Sequence, residues 1–363
     1  MPHALRSIGW SLYAAVSWTW CIGLFLPAIL LQWFGWPGFL MIAIPNCIGA
    51  AAMGLFLGSP GASRRFCTRH HTAIGSFVSL TIAFHLVFLA IVAHWLSPVD
   101  LQLTAGWLIW PVAALVMASV VSLMPRPWWP LIGLLTFLSG GIVVFLASET
   151  WSYPGWSGIR PPIDLLWLSP IFVIGFLLCP WLDAPFHRAR QETQGSLTFV
   201  LLAPLFLCML LVTASYWSLT EGTATLAVLL WVFGQSVFTI AANLRECRVG
   251  GVAHSNDMGW FWGCIIVAGV GVVFVFNNTW AGAMNLYLGL LAVYGIAFPA
   301  IILAWCRRRS PAVTTPRIIR LAVVLLIAGW LGNIGFITGP AWVAVLPAVL
   351  VLTIPLLMSR RRG

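Results

Sequence analysis

The sequence contains no lysine, and only eight of its 363 residues are acidic. Charged residues of both signs make up 7% of the chain against 61% hydrophobic ones, where a soluble domain carries roughly a quarter charged. A water-soluble enzyme or binding module is therefore excluded. No Asp, Glu or Arg falls in the middle of an apolar run. A charge placed there costs at least ~2.5–3.5 kcal/mol and marks a relay or ion path, so a pump built on a chain of buried carboxylates is excluded as well. The chain also lacks an HExxH motif, an acidic cluster, a CxxC pair, a Cys/His spacing of zinc type and a nucleophile motif. This speaks against an integral membrane enzyme or haem protein, and the expectation is a non-enzyme. None of the eight cysteines falls in an outer loop, so no outer disulfide is expected.

What the chain has instead is apolar runs, each about 20 residues long, the length that crosses a ~30 Å hydrocarbon layer. Twelve recur, at about 8–31, 37–58, 72–96, 102–123, 129–147, 163–182, 196–217, 224–243, 259–277, 283–305, 319–338 and 341–358. The fold class is all-α, a polytopic membrane helical bundle of about 12 spans forming a single transmembrane domain over 1–363. With a cytoplasmic N-terminus, the inner segments hold Arg6; Arg64, Arg65 and Arg69; Arg126; Arg188 and Arg190; Arg245 and Arg248; Arg307, Arg308, Arg309, Arg317 and Arg320; and Arg360, Arg361 and Arg362. That is 17 of 18 arginines, with Arg160 alone outside. The positive-inside rule then places both termini in the cytoplasm. One span more or fewer would send the downstream arginines to the wrong side.

The +10 net charge is thus an orientation signal, and no nucleic-acid partner is expected, because the arginines form no patch with stacking aromatics. Most of the 22 tryptophans flank spans, as interfacial anchors do. Arginine without lysine points to a GC-rich bacterial genome and hence to the bacterial inner membrane. The partners expected are the lipid bilayer and a small-molecule solute; nothing fixes an oligomeric state.

Two spans carry interruptions in corresponding places. Span one, "SWTWCIGLFLPAILLQWFG", has Gly23 and Pro27 in its middle; span six, "LSPIFVIGFLLCPWLDAPF", has Gly175 and then Pro180. A proline removes one helical hydrogen bond, and lipid tolerates the freed carbonyl only where protein, water or a ligand meets it. Broken helices at matching positions of two halves point to a transporter's central site. An offset of five spans makes the two run in opposite directions, as an inverted repeat requires.

Those two blocks carry a resemblance. "SWTWCIGLFLPAILLQWFGWPGFLMIAIPNCIGAAAMG" resembles the first two core helices of sodium:solute symporters, and "GFLLCPWLDAPFHRARQ" is similar to that family's sixth core helix. The resemblance implies the five-plus-five inverted repeat shared with amino-acid/polyamine/organocation transporters. The repeats would cover about 8–147 and 163–305, with extra helices at about 319–358. It implies a solute between the breaks, walled by Ser17, Trp18, Thr19, Gly23, Pro27, Gly175 and Pro180. It also implies a sodium ion between carbonyls of span one and hydroxyls of span eight, where Ser236 and Thr239 are the only hydroxyl pair in the cytoplasmic half. No cofactor beyond that ion is expected.

The remaining polar residues are weighed singly. His85, near the centre of span three, reads first as a packing histidine and second as a proton-coupling group. Gln235, Asn46 and Asn243 read as amides joining helices, and "GAAAMG" in span two as a close-packing face. Asp183 reads as a carboxylate paired with Arg188 or its neighbours, locking the inner end of span six or gating it. Two function classes remain open: a secondary transporter of a small solute, and a non-transporting scaffold or sensor on a transporter-derived fold. A hydrated central site separates them.

Overall fold

In a computed structural model, residues 3–96, 106–147, 154–216, 223–249, 258–277, 280–306 and 315–357 are described. Arg307 to Arg309 and Arg360 to Arg362 lie outside them. Every described regular element is helical. Span one is the pair α1 (His3–Trp18) and α2 (Cys21–Phe34), and span two is α3 (Trp36–Phe56). The inner helix α4 (Pro60–Arg69) leads to α5 (His71–Leu96), α6 (Gly106–Val121) and α7 (Trp129–Ala147), which are spans three to five. Span six is α8 (Pro162–Leu178) with a 3-10 turn at Cys179–Leu182, and the short inner helix α9 (Ala184–Glu192) follows it. Next come α10 (Leu197–Ala214), α11 (Thr223–Val249) and α12 (Met258–Phe276) as spans seven to nine. Span ten runs through α13 (Trp280–Ala292), a π turn at Val293–Ala297, α14 (Phe298–Ile301) and a second π turn at Ile302–Cys306. Span eleven is α15 (Thr315–Asn333) with a π turn at Ile334–Thr338; span twelve is a 3-10 turn at Ala341–Ala344 with α16 (Val345–Leu357).

Eight of these helices are long and apolar enough to cross a membrane, and the bent pair α1–α2 makes a ninth. Three shorter apolar helices, Leu108–Val121, Phe261–Val275 and Ala341–Ile354, fall on the other three runs read from the sequence. The outer surface confirms the solvent. On α7, Leu131, Leu135, Leu138, Ile142 and Phe145 are all exposed, at helical spacing. In water such a stripe is untenable, and in lipid it is the outer face of the bundle.

The break of span one sits close to the expected position but not at the expected residues, whereas that of span six falls at Pro180. In span one, Thr19 and Trp20 leave the helix and the axis turns by 65°. Gly23 and Pro27 lie inside α2, which runs straight through the proline. In span six the helix continues past Gly175 to Leu178, and Pro180 sits in the 3-10 turn that follows. In span one the Gly–Pro pair does not make the break, because the proline's missing bond is local and repairable, while a 65° turn frees several backbone groups at once; in span six Pro180 stands in the interruption itself.

Packing follows the order that an exchange of spans one to five with six to ten predicts. Span one packs on span seven as span six packs on span two, and span three packs on span nine as span eight packs on span four. Spans three and eight, equivalent under that exchange, are the two most enclosed of the long helices. Small residues bring the halves together. Gly49 in α3 lies so close to the Phe176 carbonyl of α8 that no Cβ fits, and Gly54 lies against the Phe199 ring. The close-packing reading of "GAAAMG" thus has its partners. Gly35, at φ 68°, alone links α2 to α3, a left-handed turn in which a side chain would strike the backbone of Gly155 and Trp156.

Candidate functional site

The 65° turn in span one strips helical partners from the backbone around Thr19 and Trp20, and side chains from four other spans replace them. His85 of span three accepts from Cys21 N–H through Nε2 (3.2 Å) and donates from Nδ1 to Thr81 O (2.7 Å). One ring nitrogen donating and one accepting is the neutral imidazole. Gln235 of span eight donates from Nε2 to Val16 O and to Thr19 O, the latter at 3.1 Å. Tyr287 of span ten donates to Cys21 O (3.1 Å), and Tyr216, just after α10, donates to Leu24 O. Thr213 of α10 donates to Gly23 O at 2.8 Å. Gly23 O is the acceptor that Pro27, four residues on, leaves without an N–H. The break is held by the protein itself.

Span six is handled the same way. After the 3-10 turn, Asp183 caps α9, its carboxylate accepting from Phe186 N–H at 2.8 Å, so the stretch "LDAPF" reads as an N-cap with proline in the first turn. The expected Asp183–arginine pair is a correction: Asp183 is buried and takes part in none of the ion pairs among the described residues. A helix N-terminus already offers the carboxylate a partner. The Cys179 thiol donates to Tyr294 O at 2.9 Å. That carbonyl lies in the π turn of span ten, where the N–H five residues on would belong to Pro299, which has none.

A cavity of about 40 Å³ lies between the two breaks. Trp18, Trp20 and Gly23 of span one and Asn46 of span two form one side. Phe172, Gly175, Phe176 and Cys179 of span six, Tyr294 and Gly295 of span ten, and Phe336 close the other. Gly175 is there for space, since a Cβ on it would stand 3.1 Å from Gly295 Cα. No charged side chain lines the cavity. Trp18 donates to Asn46 Oδ1 at 2.6 Å, whereas the buried Trp20 Nε1–H has no partner among the described residues. The volume holds about three waters.

Beneath the cavity, the Trp18 ring rests on Phe186 of α9, with centroids 4.9 Å apart. Below that ring, arginines from four segments meet two buried carboxylates. Glu192 takes Arg6 (3.3 Å), Arg126 and Arg188 (3.6 Å); Glu246 takes Arg188 (2.9 Å) and Arg245 (2.8 Å). All four segments were assigned to one side from the arginine count. Arg160, assigned to the other side, lies over the Trp33 ring at 3.8 Å. His187 joins α9 to α4, its Nε2–H donating to Trp181 O (3.0 Å) and its Nδ1 accepting from Ser63 Oγ (3.0 Å). Burial pushes His187 down to about 4 and Asp183 up to about 8, the latter aided by the Glu246 charge.

Of the residues expected to wall the site, Trp18, Gly23 and Gly175 line the cavity. Ser17 and Thr19 turn back on their own helix, to Ala14 O and Ala15 O, and Pro27 and Pro180 stand away from the cavity. Ser236 and Thr239 are buried, and their hydroxyls meet no partner among the described residues. Arg188 sits in the ion-paired layer, and His85 is a backbone ligand of the break. The sequence reading missed Trp20, Tyr294, Thr213 and Tyr287, and took Gln235 for general helix glue. A signal existed for Thr213 alone, since Pro27 announces one orphan carbonyl.

No protein-family model and no curated protein matches the chain. Among solved structures, it is similar to Mhp1 in an inward-facing conformation, with a TM-score of 0.51 and 15% identity, over 96% of this chain and 90% of that one. A closed Mhp1, described as a nucleobase-cation-symport-1 family transporter with bromovinylhydantoin bound, gives 0.48 and 14%, over 99% and 94%. MhsT in complex with L-phenylalanine gives 0.43 and 11%, over 97% and 98%. The first of these likenesses shows that the chain has the polytopic helical fold of a membrane transporter.

Proposed function

We propose that this chain is a secondary transporter-like protein of the bacterial inner membrane, with both termini cytoplasmic. Repeats at about 8–147 and 163–305 would rock about a solute held between the breaks of spans one and six. The observation that supports it is the cavity where those breaks face each other, with one unpartnered donor, Trp20 Nε1–H, in its wall. Its aromatic, uncharged lining suits a small, neutral, amphipathic solute that presents a hydrogen-bond acceptor to Trp20. At about 40 Å³ the cavity is collapsed, and it must widen to take such a solute.

The same small volume favours a second reading, a non-transporting scaffold or sensor that keeps the fold without a cargo. One experiment separates them: a thermal-shift screen of the purified protein against neutral amphipathic solutes, repeated with Gly23→Leu and Gly141→Leu. Gly23 lines the cavity, whereas nothing stands within 4 Å of a Cβ on Gly141. A transporter shows a solute that stabilises the wild type and Gly141→Leu but not Gly23→Leu. A scaffold shows no such solute.

A further inference from the structure

The resemblance in the sequence implies a sodium ion between the free carbonyls of span one and the Ser236 and Thr239 hydroxyls of span eight. The side chains present do not fit that ion. The carbonyls facing span eight are those of Val16 and Thr19, and both already accept from one atom, Gln235 Nε2. An amide nitrogen carries two N–H groups, and here each is committed to one carbonyl. A cation placed against the same two oxygens would press on the positive end of the amide dipole. The Ser236 and Thr239 hydroxyls are neutral and would bring no negative charge to offset it.

We infer that Gln235 stands in for the cation, an internal, permanently bound group that closes the break of span one without sodium. Its donors cover the span from Val16 to Thr19, where the helix ends and a free carbonyl in lipid must find a partner. Burial makes the arrangement durable: Gln235 is fully enclosed, so water does not compete for either bond. On the same helix Gln235 Oε1 and the Ser236 and Thr239 hydroxyls are buried and have no partner among the described residues. It follows that movement of a solute by this chain is not driven by a sodium gradient acting at this point.

The test needs no solute, so it stands or falls apart from the transport reading. The apparent Tm of the purified full chain is measured in sodium chloride and in choline chloride at equal ionic strength. Wild type, Gln235→Glu and Gln235→Ser are compared. The wild type is expected to melt at the same temperature in both salts. Gln235→Glu keeps the shape but turns a carboxylate on two carbonyls. It is expected to melt lower in choline chloride at pH 8 and to regain several degrees with sodium or on acidification, when the carboxyl takes up a proton. Gln235→Ser frees both carbonyls and is expected to gain a sodium-specific shift absent from the wild type. A wild type that rises by several degrees in sodium overturns the inference. So does a Gln235→Glu protein as stable as wild type in choline chloride at pH 8. If neither variant folds, the wild-type comparison alone decides.

Discussion

Replacing Asp183 by asparagine tests whether the end of span six is held by a cap or by a charge. Asparagine caps a helix as well as aspartate does, so the bond to Phe186 N–H survives the change. What disappears is a carboxyl whose pKa rises from 3.8 unfolded to about 8 folded, because it is buried and faces the Glu246 charge. A folded pKa above the unfolded one means that the native state binds the proton more tightly. Its contribution is intact below pH 3.8 and is lost as pH climbs towards 8, with a slope of up to about 1.4 kcal/mol per pH unit. His187, lowered to about 4, works with the opposite sign and fades above 6.5, in wild type and variant alike, so the difference between the two proteins isolates Asp183. Chemical or thermal denaturation of the purified protein from pH 6.5 to 7.5 should show the wild type losing about 1 kcal/mol relative to Asp183→Asn. Above pH 7 the variant should be the more stable of the two. Parallel slopes in the two proteins would refute the reasoning, and would mean that Asp183 is ionised in the native state throughout.

Two further substitutions probe the helix contacts. Thr213→Val keeps the side-chain shape but orphans Gly23 O beside Pro27; a loss of about 1–3 kcal/mol in denaturation is expected, and none if the carbonyl has another partner. Gly49→Ala places a Cβ against the Phe176 carbonyl where α3 crosses α8, and should lower the apparent Tm by an amount matching about 1–3 kcal/mol, while Gly141→Ala, in open space, leaves it unchanged.

The membrane class was legible because hydrocarbon thickness fixes helix length: eight helices among the described residues, or nine with the bent pair, are long and apolar enough to cross, and three shorter apolar helices fall on the other runs. The fold class followed from the same runs. The break in span one was legible only to within a few residues. Gly23 and Pro27 draw the eye, but the turn is placed at Thr19 and Trp20 by His85, Gln235 and Tyr287, which lie between 64 and 266 positions away in sequence. Hydrophobic periodicity cannot report such pairings, since a buried polar side chain on an enclosed helix looks alike whether it meets a neighbour's backbone or its own. Asp183 shows the complementary failure. Nearness in sequence to Arg188 suggested an ion pair, yet the turn at Cys179–Leu182 points the carboxylate along α9 instead, and Arg188 reaches Glu246 on a different span.

The contacts that hold the two breaks differ in kind from those of the layer beneath them. Around Thr19 and Trp20 every bond is fully buried and runs to a backbone atom, so releasing any one orphans a group in lipid at about 1–3 kcal/mol. The ion-paired layer under Phe186 is graded. Glu192 and Glu246 are enclosed, and so is Arg245, but the Arg6 and Arg126 side chains are 45% and 56% exposed. An arginine that left would be rehydrated, but the enclosed Glu192 carboxylate would lose part of its compensation, so these are not ordinary surface pairs. Arg6 belongs to α1 and Arg126 to the turn before α7, so the pairs join spans one and five to α9. Arg188, 14% exposed and shared between Glu192 and Glu246, ties α9 more firmly to α11. Glu192 thus gathers spans one and five onto α9, and Glu246 joins α9 to α11, in one ion-paired layer.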